Sequence, residues 1–143
     1  MADAPPNWKT CQIEADCIGL RIADDGGCLR HCREEQRQLA FAMVASGGDL
    51  NVARGVSIDG DLLERLLAHL PVGPSGERLI RGCDFRDATF EAYVGFRNAT
   101  FEGDASFNFA TFGRYVRFMK VTFKGRADFQ HAIFQKTPEF VGI

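Results

Sequence analysis

The sequence predicts a mainly β chain: a narrow β-solenoid in its second half, preceded by a small metal-binding and helical cap. Three observations carry this. From Phe85 onward, phenylalanines recur at alternating steps of five and six residues. A small or compact apolar residue stands two positions before nearly every one of them. Near the front, Cys11, Cys17, Cys28, His31 and Cys32 crowd into 22 residues.

Phenylalanine is the repeated element. It occurs 13 times among 143 residues, against 2 tyrosines and 1 tryptophan, whereas an ordinary core mixes its apolar types. The ladder runs through positions 85, 90, 96, 101, 107, 112, 118, 123, 129, 134 and 140, an 11-residue period held over 55 residues. A helix would spread such residues over several faces, and a plain strand wants period two. Two positions earlier stand Cys83, Ala88, Val94, Ala99, Ala105, Ala110, Val116, Val121, Ala127, Ala132 and finally Pro138. Large beside small is what a narrow tube needs: the ring fills the axis and the compact neighbour fits beside it. The residues between are mostly polar, suited to an outer wall and its corners.

These units read CDFRD, ATFEA, VGFRN, ATFEG, ASFNF, ATFGR, VRFMK, VTFKG, ADFQH and AIFQK, with one extra residue before every second unit after the first. The segment resembles the pentapeptide-repeat family, whose unit is a small residue, a polar residue, a central Leu or Phe and two variable residues. The resemblance implies a right-handed quadrilateral β-helix in which each unit forms one side. Four units of 5, 6, 5 and 6 residues then make a coil of about 22, and the extra residues imply widened corners on two opposite sides. The repeats suffice for about two and a half coils, a tube about 12 Å tall at the usual strand spacing. So short a stack leaves an open end near Phe140, where a second copy stacks or a longer natural chain continues.

In the cap, C-x5-C-x10-C-x2-H supplies two ligand pairs joined by a loop rich in Gly and Asp, as a closed tetrahedral zinc site requires. The expected ligands of this structural zinc are Cys11, Cys17, Cys28 and His31, with Cys32 as the alternative fourth. Adjacent residues rarely bind one ion together, and Cys-x-x-His favours His31. Trp8 with these four residues is similar to the front end of actinobacterial repeat proteins that open on a Trp, two spaced cysteines and a later Cys-x-x-His. Cys83 falls in a small-residue slot of the first unit and is read as core.

The bridge follows. Residues 33–46 read as a helix with Leu39, Ala42 and Met43 on one face, stopped by Gly47 and Gly48. Residues 50–58 alternate enough to form a short strand or an imperfect first rung. Leu62, Leu63, Leu66, Leu67 and Leu70 mark a second helix, from Asp61 to Leu70, with Asp59 or Asp61 as its cap and Pro71 as its end. Its leucine stripe is read as a cover for the first ring of phenylalanines. The resulting division is a tail at 1–10, a Cys/His segment at 11–35, a helical cap and linker at 36–80, and the repeats at 81–143.

Function classes narrow accordingly. Residues 1–80 hold 8 basic and 12 acidic side chains and residues 81–143 hold 9 and 7, so neither half has the basic footprint of a nucleic-acid binder. That disfavours nucleic-acid binding through the zinc cap, the third reading. Some members of the resembled family mimic duplex DNA and protect gyrase, and that second reading needs a long acidic rod, whereas the repeats here are short and net +2. No dinucleotide, Walker, HExxH or GxSxG motif is present, and a filled tube offers no cleft, so an enzyme is not expected. No signal peptide or apolar span is read at the front, and a cytoplasmic, reducing home is expected. The favoured reading is a non-enzymatic protein-interaction or assembly module with a protein partner, and with self-association through the C-terminal end as a further possibility.

Overall fold

The computed structural model describes residues 8–142; the first residues of the expected tail and Ile143 lie outside the described residues. Helix α1 (Glu34–Gly47) ends where Gly48 turns left-handed at φ 71° and its N–H returns to the Val44 carbonyl. Two short strands follow, β1 (Asp49–Leu50) and β2 (Ser57–Ile58). Helix α2 (Gly60–Ala68) comes next, capped by the Asp59 carboxylate, which accepts from the Leu62 N–H at 2.8 Å. The remaining strands are β3 (Arg78–Ile80), β4 (Gly82–Asp84), β5 (Thr89–Phe90), β6 (Val94–Phe101), β7 (Ala105–Ser106) and β8 (Thr111–Phe112). They continue with β9 (Val116–Phe123), β10 (Ala127–Asp128), β11 (Ile133–Phe134) and β12 (Glu139–Val141).

All strand pairing between these elements is parallel, in the orders β1-β4-β7-β10, β2-β5-β8-β11 and β3-β6-β9-β12. The two eight-residue strands turn a corner at Asn98 and Lys120, where φ is 51° and 54°, so each serves two sides and the tube is four-sided. Within the tube the rings form four columns along the axis. Phe90, Phe112 and Phe134 lie with centroids 4.7 and 4.8 Å apart and planes within 2°. Phe85, Phe107 and Phe129 are spaced 5.5 and 4.8 Å, and Phe101 and Phe123 4.8 Å. Such spacings are the strand separation of about 4.8 Å itself, so the backbone ladder sets the stack. Rings of neighbouring columns meet tilted or edge-on, as Phe107 does with Phe96, Phe101 and Phe118. The small slots Ala88, Val94, Ala99, Ala105, Ala110 and Val116 are all buried beside them, and so is Cys83.

The two corner types explain the alternation of five and six. After every fourth phenylalanine, beginning with Phe85, the chain turns tightly: Ala88, Ala110 and Ala132 donate to the Phe85, Phe107 and Phe129 carbonyls across 3.0–3.1 Å. The third residue of each of these turns is left-handed, at Asp87, Phe109 and His131. With Asn98, Lys120 and Gly142 these positions recur every 11 residues. Asp, Asn, His and Gly tolerate that conformation; at Phe109 and Lys120 it is roughly 1–2 kcal/mol uphill and is imposed by the stack. The extra residues of the six-steps fall at the other two corners, opposite each other.

The stack begins earlier than the phenylalanines. Leu50 registers with Cys83, Ile58 with Phe90 and Ile80 with Phe101, so residues 49–80 build a first coil with aliphatic fillers. Two sides therefore carry four rungs, one coil more than the phenylalanine ladder by itself suggests. Helix α1 differs from expectation in its face. Leu39 and Met43 are 62% and 70% exposed, while Ala40, Phe41 and Val44 are buried. The reason lies beside α2: Phe41 stacks on His69 at 4.7 Å and the Arg65 guanidinium lies over the same ring, 4.9 Å from its centroid, so the ring rather than the leucine points inward. Among the described residues no helix is long and apolar enough to cross a membrane.

Candidate metal centre

Cys11 and Cys17 stand on a loop whose ends are tied by the antiparallel bridge Thr10–Leu20. Cys28 and His31 stand on the turn that leads into α1. The two loops face each other, and the Cys11, Cys17 and Cys28 sulfurs with a His31 ring nitrogen all lie within 4.8 Å of one another. Cys17 Sγ is 3.9 Å from Cys28 Sγ, too far for a disulfide. His31 Nδ1 is 3.6 Å from Cys11 Sγ and 3.5 Å from Cys28 Sγ. A tetrahedral zinc with Zn–S near 2.3 Å and Zn–N near 2.1 Å requires edges of about 3.8 Å and about 3.6 Å. The donor set therefore fits that ion.

Backbone amides are aimed at the sulfurs. Cys11 accepts from the N–H groups of Ile13 and Glu14, Cys17 from that of Gly19 at 3.3 Å, and Cys28 from those of Arg30 and His31. Amides two and three residues along, folded back onto sulfur, stabilise thiolate rather than thiol. At Cys11, burial opposes ionisation, but the amides of Glu14, Cys28 and Ile13 with His31 outweigh it and bring the thiol down to about 6. Cys28 is pushed up to about 12, first by its burial and then by the neighbouring sulfurs, against the amides of His31 and Arg30. Cys17 is raised as well, chiefly by burial. A cation between the three would relieve both the burial and the mutual repulsion.

The surroundings are built for closeness. A Cβ on Gly19 would lie 2.8 Å from Cys28 Cβ and 3.0 Å from its sulfur, so only hydrogen fits there. Arg37 reaches back from α1 to the carbonyls of Leu29, Arg30 and Cys32 at 2.8, 2.6 and 2.8 Å, holding the second loop in shape. Asp25 accepts from the N–H groups of Gly27 and Arg33, both at 2.9 Å, and closes the turn before the helix. Cys32 lies apart from the cluster: its buried thiol donates to the Leu29 carbonyl at 3.7 Å.

The first of these loops is docked on the first coil through one patch. Leu20 donates to the Arg54 carbonyl at 2.8 Å, and Trp8 Nε1 to the Ile18 carbonyl at 2.8 Å, with the Arg54 guanidinium 5.3 Å from the indole. Gly55 is left-handed at φ 69°, and a Cβ there would lie 2.4 Å from the Ile18 oxygen. Arg54 also meets Asp84 at 2.8 and 2.5 Å, and Arg86 meets the same carboxylate at 2.9 Å. Asp84 reads in sequence as an outer-wall residue, but it is buried. Burial by itself would raise its pKa; the bonds from Arg86 and Arg54 more than offset this and hold the carboxyl below the usual range. Nothing in the repeat pattern marks this position, since its register mates are Ser106 and Asp128.

Residues 85–133 match the family model described as pentapeptide repeats (9 copies). The chain carries a pentapeptide-repeat array. The match begins at Phe85, so the cap and the aliphatic first coil stand outside it, although the same ladder runs through that coil. No curated protein and no solved structure matches the chain significantly.

Proposed function

We propose that this chain is a non-enzymatic protein-interaction or assembly module: a right-handed quadrilateral β-helix held at its front by a structural zinc on Cys11, Cys17, Cys28 and His31. The observation that carries the reading is the closed donor set. All four corners of the tetrahedron are protein atoms, so an ion there keeps no position for water or substrate, the arrangement of structural rather than catalytic zinc. Using both Cys and His as ligands also removes them as a nucleophile and base. The hand of the coil follows from parallel strands joined by crossovers, which are almost always right-handed. A reducing, cytoplasmic home belongs to the same proposal, since the ligands are thiolates.

The outer wall supports binding rather than DNA mimicry. Arg97, Arg114, Lys120 and Lys124 are exposed on the tube, so its carboxylates form no continuous acidic face. Ile133, Phe140 and Val141 are exposed on the last coil, and self-association of that end is part of the proposal. Light scattering that shows a monomer across a wide concentration range removes that part.

Protein purified without added metal tests the cap. About one zinc per chain, with three thiols freed and the front residues unfolded on chelation, is the expected result. Metal-free protein with reactive cysteines and an intact front would overturn it.

A further inference from the structure

The first coil lacks its third side. In later coils that side is the first half of β6 or β9, or it is β12. In the first coil the chain instead runs through α2 and a turn closed by Gly73 and Glu77, and β3 rejoins the ladder only opposite Ala99–Phe101. Among the described residues, Val94–Arg97 therefore pairs on one edge alone. Val94 donates to Tyr115 at 2.9 Å, toward β9. Alternation along the strand turns Phe96 the same way and turns the N–H and C=O groups of Gly95 and Arg97 toward the missing side. Unlike the open end of the stack, this gap is bounded by described chain on both sides.

The gap is a groove of about 300 Å³ between the strand edge and α2, with Leu67 and Ala68 on one wall and Gly95 and Arg97 on the other. Gly95 stands where β9 has Arg117, so the wall is lowest at the open edge. The groove is basic. Arg97 is exposed and, among the described residues, forms no ion pair; the Arg78 guanidinium lines the groove and reaches the Ala68 carbonyl at 3.4 Å; and among the described residues Glu64 is the one carboxylate at its rim. Lys120 and Arg117 continue the positive charge along the same face, where Glu139 pairs with Arg117.

We propose that this edge binds an extended acidic segment of a partner protein by strand addition, supplying the absent side of the first coil. Backbone groups of Gly95 and Arg97 provide the pairing, and outward carboxylates of the guest meet Arg97 and Arg78. This assigns a surface and a partner class within the interaction reading above, on which it rests; the metal assay decides the cap independently, so failure here leaves the zinc reading standing.

A fluorescein-labelled Glu-Val-Glu-Val-Glu-Val peptide titrated into the full-length chain, followed by anisotropy, tests the proposal. Saturable binding is expected, weakened about tenfold or more by methylating alternate peptide nitrogens and by Arg97→Glu, with the Gly95 and Arg97 amide resonances shifting on binding. Arg97 is exposed, so the variant keeps its fold, and Arg97→Ala should lie between it and the parent. The Lys-for-Glu peptide should not bind. Absence of saturable binding overturns the proposal. So does binding indifferent to N-methylation, which is surface charge only, or tighter binding of a single-stranded oligonucleotide at the same residues, which makes the face a nucleic-acid site.

Discussion

Between Thr10 and Arg33 the chain buries little apolar surface, and its order comes from converging sulfurs, ring nitrogen and backbone amides. Between Phe85 and Phe123 almost nothing polar is used inside, and each ring is held by the rings above, below and beside it. The first region is a small number of strong, directional contacts, all needed together. The second is many weak contacts, each replaceable by a neighbour of similar shape. Failure should therefore be abrupt and local in the cap and graded in the stack, with the Arg54–Asp84–Arg86 patch deciding how far one is felt in the other.

The largest effect tests that division directly. Chelation, or Cys28→Ala, should abolish metal binding and unfold residues 11–32, since ion-coupled folding of such sites is worth on the order of 10 kcal/mol or more. Hydrogen exchange should show those amides losing protection while Phe96–Phe118 keep theirs; equal loss in both would make the two regions one cooperative unit. Next, Phe107→Ala removes the ring at the centre of the stack and should cost about 3–5 kcal/mol in denaturant unfolding. Zinc content should stay that of the parent, and a loss of metal would break the comparison from the other side.

Asp84→Asn sharpens it at the junction. The buried carboxylate faces two arginines, and weakening both bonds should cost about 1–3 kcal/mol. Because the folded carboxyl is held below its unfolded value, the stability it contributes is present above the ordinary aspartate range and lost as pH falls through that range and below. A pH series of melts should be flatter on the acid side for the variant than for the parent; parallel curves would mean the pair contributes nothing. The smallest effect is Asp59→Ala, which removes the cap of α2 and should cost about 1 kcal/mol, read as a small fall in the unfolding midpoint with zinc and stack unchanged.

The phenylalanine ladder was legible because one geometrical slot recurs at a fixed interval, and only a chain returning to the same place every coil has that need. The Cys/His cluster was legible as four residues of two metal-binding types, spaced C-x5-C-x10-C-x2-H. The first coil was only half visible. Leu50 and Ile58 read as an imperfect rung, while Ile80 was hidden, because aliphatic fillers replace phenylalanine and α2 interrupts the count. The buried face of α1 was misread from Leu39 and Met43, since apolar type does not reveal which side a neighbouring helix takes. Asp84 looked like wall because Arg54, which closes over it, comes from the first coil, outside the unit that holds it.

What the sequence by itself determined is the period: a bulky ring every fifth or sixth residue, beside a small one, marks a chain that keeps returning to one slot, and the resemblance to pentapeptide repeats supplied the four-sided coil. It determined too that three sulfurs and an imidazole stand close enough along the chain to meet. Only the tertiary structure decided which partners meet across coils: the cap docked through Gly55 and Arg54, a carboxylate buried between two arginines, and one side of the first coil left as an open strand edge. Those depend on distances between segments that pack together without a shared pattern, and periodicity carries no information about them.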